Sequence, residues 1–233
     1  MYGYYWRFDP TYLLIIIGML LSLAASAKLK NTFVVYRGRR SASGLTGAEA
    51  ARRILNAAGI TDVQIVPVSG SLTDHYDPRS KTVRLSEDIY GKTSLAAVGV
   101  AAHECGHAIQ HHINYAPLSI RSALVPVANF GSTLSWPLFF AGLIFSIQPL
   151  LTLGIVLFSF AVIFQLVTLP VEFNASSRAL HMLESTGILS RDENSGARKV
   201  LRAAALTYVA ALASSILQLL RLIILAGGRR SDD

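Results

Sequence analysis

Four long apolar runs, separated by polar stretches, give this chain its coarsest pattern. Tyr12 to Ala27, Val125 to Ile147 and Leu150 to Leu169 carry no charged residue, and Ala203 to Ala226 carries only Arg221, near its end. Runs of this length and composition predict membrane-spanning helices, the first just long enough to cross. Tyr2, Tyr4, Tyr5, Trp6 and Tyr12 lead into the first run as an interfacial aromatic belt would. Arg7 is the only positive charge ahead of that run, so it reads as an uncleaved anchor and not as a signal peptide. Gln148 and Pro149 leave almost no loop between the second and third runs, which predicts a tight helical hairpin. Arg221 is expected to snorkel to the interface.

The shorter periodicities lie between the first and second runs. Thr46-Gly-Ala-Glu49 has the spacing of a capping box, and Ala50, Ala51, Ile54, Leu55 and Ala58 continue it as an apolar helical stripe closed by Gly59. Residues 63–68 alternate as a strand, and residues 73–85 read as a hairpin turning through Asp77-Pro78-Arg79-Ser80. A second helix starts near Thr93 or Ser94 and runs to about His112. The predicted fold is a mainly α membrane protein: about four transmembrane helices plus a small α+β domain with a short β-sheet. The expected divisions are 1–27 (anchor), 28–124 (α+β domain), 125–170 (hairpin), 171–202 (a segment completing the site of that domain) and 203–233 (last span and tail).

Composition supports a membrane protein. The chain is 52% hydrophobic and only 15% charged, where a soluble domain carries about a quarter charged residues. The net charge of +7 comes from residues bordering apolar segments, which suits a lipid surface. No basic face studded with aromatic residues points to nucleic acid. The single cysteine, Cys105, excludes an intrachain disulfide.

The predicted helix 94–112 carries His103-Glu104-Cys105-Gly106-His107. Histidines four positions apart on a helix share a face and can grip one Zn²⁺, with Glu104 as general base toward water. Two imidazoles and a carboxylate in an otherwise apolar helix need partners. Gly106 costs about 1 kcal/mol against alanine in a helix interior, which predicts a close neighbour there. Cys105 points about 100° away from the histidine face and reads as packing.

A catalytic zinc takes three protein ligands. No histidine follows His107 at the metzincin spacing. His111 shares the face of His107, but a straight helix carries it away from a metal held between His103 and His107, and His112 is placed worse. Glu172, where a helix resumes at the membrane edge, is the better candidate. Two predicted spans separate His107 from Glu172, and an even number of crossings returns both to one side of the membrane.

Asp74-His75-Tyr76-Asp77-Pro78, the helix from Ala102 to Gln110, and Glu172-Phe-Asn-Ala-Ser-Ser-Arg-Ala179 together resemble the YugP-type membrane zinc proteases. They are similar, more distantly, to the HtpX and CAAX-prenyl-protease type. The resemblance covers nearly the whole chain. It implies that residues 28–124 form a zincin-like domain, and a gluzincin site with one Zn²⁺ per chain held by His103, His107 and Glu172, with Glu104 as catalytic base. The chain departs from the pattern at Asn174, where the YugP type often has aspartate, and at Ser176, where the HtpX type has one. Either neutral side chain can still accept a hydrogen bond from an imidazole N–H, with less charge assistance.

His181 and Arg178, further along the same predicted helix, are candidate donors to the transition-state oxyanion, and each also reads as a surface residue. The hairpin is a candidate edge for an extended peptide, with His75 as a hydrogen-bonded structural residue. Lys28, Lys30, Arg37, Arg39, Arg40, Arg121, Arg198, Lys199 and Arg202 lie on the side that bears the site, against Arg7, Arg229 and Arg230 on the other. The positive-inside rule then puts the catalytic domain in the cytoplasm. The expected function is a multi-pass zinc endopeptidase acting on protein or peptide substrates in or near the bilayer. Two rivals are a site-2-type intramembrane protease, whose Asp-Gly ligand segment is absent, and a silent scaffold subunit, which has no use for Glu104.

Overall fold

The computed structural model describes residues 9–227, so Tyr2 to Arg7, Arg229 and Arg230 lie outside the described residues. The elements run α1 (Tyr12–Arg37), α2 (Gly47–Ala57), β1 (Gln64–Val68), β2 (His75–Asp77), β3 (Thr82–Ser86), α3 (Leu95–His112), α4 (Ala116–Phe145), α5 (Gln148–Ser185) and α6 (Arg191–Gly227). Four of these helices, α1, α4, α5 and α6, are long and apolar enough to cross a membrane. Each extends past the apolar run that predicts it. The polar continuations keep helical propensity, and packing decides where a helix stops. Pro170 does not interrupt α5, so the helix expected to resume at Glu172 is continuous with the span before it. The turn between α4 and α5 is as tight as expected, with Ser146 at φ 57°.

The chain divides into two compact units. The first comprises Met1–Ala24, Leu124–Leu166 and Val209–Asp233. Its small apolar core gathers Phe139, Leu151, Phe158, Leu222 and Ala226. Many of its large apolar side chains face outward, among them Phe130, Phe140, Ile144 and Phe145, as a lipid-facing surface requires. Small residues let α1 and α6 approach: Gly18 packs against Ser214, whose hydroxyl donates to the Gly18 carbonyl at 2.8 Å. Arg221 is held by the start of α1. Its guanidinium lies 3.9 Å from Asp9, donates to Thr11 Oγ1 at 3.2 Å and stacks over the Tyr12 ring.

The second unit, Ala25–Ala123 and Val167–Tyr208, holds the main core. The capping box of α2 forms as the sequence predicts: Thr46 Oγ1 accepts from the Glu49 N–H, and Glu49 accepts from the Thr46 N–H. Its apolar stripe, Ala50, Ala51, Ile54 and Leu55, is fully buried. Ser94 caps α3 through the Ala97 N–H at 3.1 Å. The hairpin is present as an antiparallel β2–β3 pair, and β1 joins β3 in parallel to give the order β1-β3-β2. Val83 and Leu85 of β3 belong to one core with residues of α2 and α3 and with Ala179, Leu183, Ala197, Val200 and Leu201 of α5 and α6.

Two glycines on α3 allow this packing. A Cβ on Gly99 would meet the Ala197 Cβ at 3.2 Å, and one on Gly106 would meet the Ala175 carbonyl oxygen of α5. The close neighbour anticipated at Gly106 is therefore the backbone of α5. We expect Gly106→Ala to destabilise the protein by about 1–3 kcal/mol despite alanine's better helix propensity, because backbone must move to admit the methyl. The thermal unfolding midpoint of detergent-solubilised protein checks this. Gly91→Ala, where a Cβ meets nothing within 4 Å, is expected to leave the midpoint unchanged.

Candidate metal centre

The stripe His103, Gly106, His107 and Gln110 has helical spacing and forms one face of α3. The stripe Glu172, Ala175, Ser176 and Ala179 does the same on α5. With Gly106 against Ala175, the polar ends of the two stripes meet. His103 Nε2 lies 3.2 Å from Glu172 Oε2, and His107 Nε2 lies 3.6 Å from the same oxygen. The His103 and His107 rings sit 4.8 Å apart, nearly perpendicular. One ligand atom from each of His103, His107 and Glu172 falls within 4.8 Å of the others. The Glu172 side chain is 3% exposed, so its charge must be met inside the protein.

The hydrogen bonds behind the imidazoles determine what they present to one another. Gln110, fully buried, donates through Nε2 to the Val171 carbonyl at 2.8 Å and to Asn174 Oδ1 at 3.0 Å. That fixes the orientation of its amide, so Oε1 is the atom that faces His107 Nδ1 at 3.0 Å and can only accept. His107 therefore keeps its proton on Nδ1, and its neutral form presents the Nε2 lone pair toward Glu172. His103 Nδ1 meets Ser176 Oγ at 3.1 Å, which lets it adopt the same tautomer. Asn174 Oδ1 also accepts from Arg178 Nε at 2.7 Å.

A carboxylate so placed needs positive charge between itself and the rings, either a proton on Nε2 or a metal ion. Burial works against charging the His107 ring, yet Glu172, Glu104 and Gln110 together raise its pKa above the usual imidazole value. Two imidazole nitrogens and one carboxylate oxygen, each fixed from behind, are the donor set of a catalytic zinc site. The residues fit the ion.

Of the other residues singled out by the sequence, Glu104 is buried on α3 beside His103. Arg178 bonds Asn174 and so stands behind the cluster. His181 is exposed on α5, nine positions beyond Glu172 and roughly 13 Å further along the helix. His111 pairs with the Tyr76 hydroxyl at 2.8 Å, and His75 Nδ1 donates to the Thr73 carbonyl at the same distance. Cys105 packs on α2, with its Sγ 3.6 Å from the Ala51 carbonyl, and burial pushes its thiol well above the usual cysteine range. Burial likewise raises the Asp74 pKa, against hydrogen bonds from the Ser86 N–H and hydroxyl. Burial pushes the Tyr76 hydroxyl up to about 12.

Three residues escaped the sequence reading. Gln110 left one signal, a polar residue at i+3 from His107 on an apolar helix. Arg121, counted only as a flanking charge, reaches within 3.9 Å of Glu172 Oε1. Tyr208, inside an apolar run, hydrogen-bonds the Glu172 side chain, and nothing local distinguishes it.

Gln110→Ala removes the acceptor for His107 Nδ1 and the tie to Asn174. We expect zinc affinity to fall roughly 10–100-fold, as for other residues that orient metal ligands, measured by competition against a chelator. Separately, Cys105 is expected to resist thiol reagents in folded protein and to react on unfolding, scored by mass spectrometry.

Comparisons with known proteins also point to a zinc peptidase. The family described as "putative neutral zinc metallopeptidase" matches residues 11–227. The chain is 50% identical over 213 residues, 91% of its own length and 95% of the relative's, to the "putative membrane protease YugP" of Bacillus subtilis (strain 168). No solved structure matches the chain. A match over nearly all of the chain, together with half-identity to a relative of the same length, shows that this protein belongs to the neutral zinc metallopeptidase family.

Proposed function

We propose that the protein is a multi-pass membrane endopeptidase of gluzincin type. In this reading His103, His107 and Glu172 hold one Zn²⁺ per chain, and Glu104 is the general base. The observation that carries it is the pair of imidazole Nε2 atoms directed at a single Glu172 oxygen, with His107 Nδ1 already committed to Gln110.

Zinc supplies Lewis acidity to the substrate carbonyl and lowers the pKa of water. Glu104 takes a proton from the attacking water as its oxygen bonds to the carbonyl carbon, and the carbonyl π pair moves onto oxygen. When the C–N bond breaks, its electron pair goes to nitrogen, which takes the proton from Glu104. Ser176 and Gln110 hold the two rings in the ligating tautomer, and the Gly106 contact keeps Glu172 opposite them.

Several features suit a peptide at a bilayer. β2 is an edge strand of the three-stranded sheet and offers its free side to an extended chain. A cleft of about 420 Å³, lined by Pro78, Arg79, His111 and Gln110, lies beside the residue that orients His107. Glu172 follows an uncharged 20-residue run on the same helix, which favours substrates in or close to the membrane. Residues 28–124 and 171–202 then form the catalytic domain, and the positive-inside rule assigns it to the cytoplasm.

Glu104→Gln is expected to keep zinc at one per chain and to lose proteolysis by roughly 10²–10⁴-fold. Metal analysis of purified protein checks the first expectation. The second is read by proteomic comparison of membrane fragments from cells carrying wild-type or variant protein. Full proteolysis by Glu104→Gln refutes the mechanism. His103→Ala and His107→Ala are expected to lose the metal itself.

A further inference from the structure

The cleft beside Gln110 carries one sign of charge. Gln110 and Leu118 are its buried lining residues, while Arg79, Asn114 and Ser119 are exposed and open to whatever enters from solvent. Among the described residues that line it there is no carboxylate, and Arg79 is its permanent cation. The nearest carboxylate in sequence, Asp77, is occupied by the turn itself: it accepts from the Arg79 N–H at 2.9 Å and the Ser80 hydroxyl at 2.7 Å. The ion pairs formed among the described residues leave the Arg79 guanidinium unmatched. His111, the other basic group of the cleft, is held by the Tyr76 hydroxyl.

Two placements tie the cleft to the reaction. Strand β2, which offers a free edge, runs directly into Pro78 and Arg79, so a peptide added along β2 passes the mouth of the cleft. Gln110, on the other wall, accepts from His107 Nδ1 at 3.0 Å. One imidazole ring and one hydrogen bond then separate the cleft from the metal-facing nitrogen. That distance, roughly 7–10 Å, is about two or three residues of extended chain.

We propose that this cleft is a substrate subsite that takes a glutamate side chain about two or three residues from the scissile bond, with Arg79 as the specificity-determining residue. The proposal rests on the peptidase reading above and names its substrate class. The guanidinium fork meets the carboxylate through two N–H groups, and the Asn114 amide and Ser119 hydroxyl supply further donors. Leu118 and Pro78 cover the CH₂ groups, which favours glutamate over the shorter aspartate. A lysine side chain in the same place faces a like charge and is rejected.

The test uses the zinc-loaded full chain in detergent with a mixed peptide library, and cleaved bonds are located by mass spectrometry. Glutamate is expected to be enriched at the stated distance from those bonds. Matched fluorogenic peptides with glutamate or lysine at that position then measure the preference. Wild type is expected to favour glutamate roughly tenfold or more in kcat/KM, mostly through KM. Arg79→Gln is expected to flatten the preference and Arg79→Glu to reverse it, with zinc still at one per chain. Arg191→Glu, a charge reversal on α6 outside the cleft, is expected to keep the wild-type preference. Absence of acidic enrichment, or a wild-type preference in Arg79→Glu, overturns the subsite. If Arg79→Glu keeps that preference but sheds co-purifying phosphatidylglycerol, the cleft is a lipid-headgroup site and the proposal fails. Glu104→Gln, run alongside, separates the two readings. If it is inactive while wild type cleaves without regard to glutamate, only the subsite fails. If wild type cleaves nothing, or Glu104→Gln cleaves equally well, the peptidase reading fails and takes the subsite with it. A second measurement needs no turnover. The glutamate peptide is expected to bind Glu104→Gln protein tenfold or more tighter than the lysine peptide by fluorescence anisotropy, and adding Arg79→Glu is expected to invert that order. Equal binding argues against the subsite.

Discussion

Backbone distance between α3 and α5 at Gly106 and Ala175 is the constraint on which the catalytic unit depends. A Cβ at Gly106 would overlap the Ala175 carbonyl, so the two helices are as close as glycine permits. That closeness brings His103 and His107 on one helix to Glu172 on the other, although Glu172 lies 65 positions beyond His107 in the chain. Ala175 and Ala179, both fully buried, continue the small-residue face that makes the approach possible. A bulkier contact would hold the carboxylate away from the imidazoles and leave three buried polar groups without partners.

Around that contact, neutral hydrogen bonds do the work that a carboxylate does in many zinc sites. The Gln110 amide is oriented by two acceptors on α5 and passes that orientation to His107. Asn174 is fixed by Gln110 and Arg178, and Ser176 meets His103. The network commits His107 to one tautomer without adding negative charge behind it. The negative charge of the cluster is then concentrated on Glu172 and Glu104, where a divalent cation and a proton would respectively be held.

The membrane-type unit follows a different logic. Its helices bury little, and their large side chains face outward, so specificity comes from a few small and polar contacts. Gly18 with Ser214, Ser22 with Ser214, and Arg221 with Asp9 and Thr11 each tie α1 to α6. Hydropathy detects such helices but says nothing of which faces meet, because the apolar residues are nearly uniform around them.

The local features were legible in the sequence because short-range physics produces them. The Thr46 capping box, the Ser94 cap, the β2–β3 hairpin, the four apolar helices and the shared face of His103 and His107 all follow from spacing within about a dozen residues. Gly106 announced a close neighbour without naming it. Tertiary structure decided the rest: the parallel pairing of β1 with β3, the run of α5 through Pro170, and the Asp9 clasp on Arg221. It also brought Gln110 to Val171 and Asn174, and Arg121 and Tyr208 to Glu172. Those outcomes depend on which of several similar helix faces meet, and a one-dimensional pattern records the face each helix offers but not the partner that covers it.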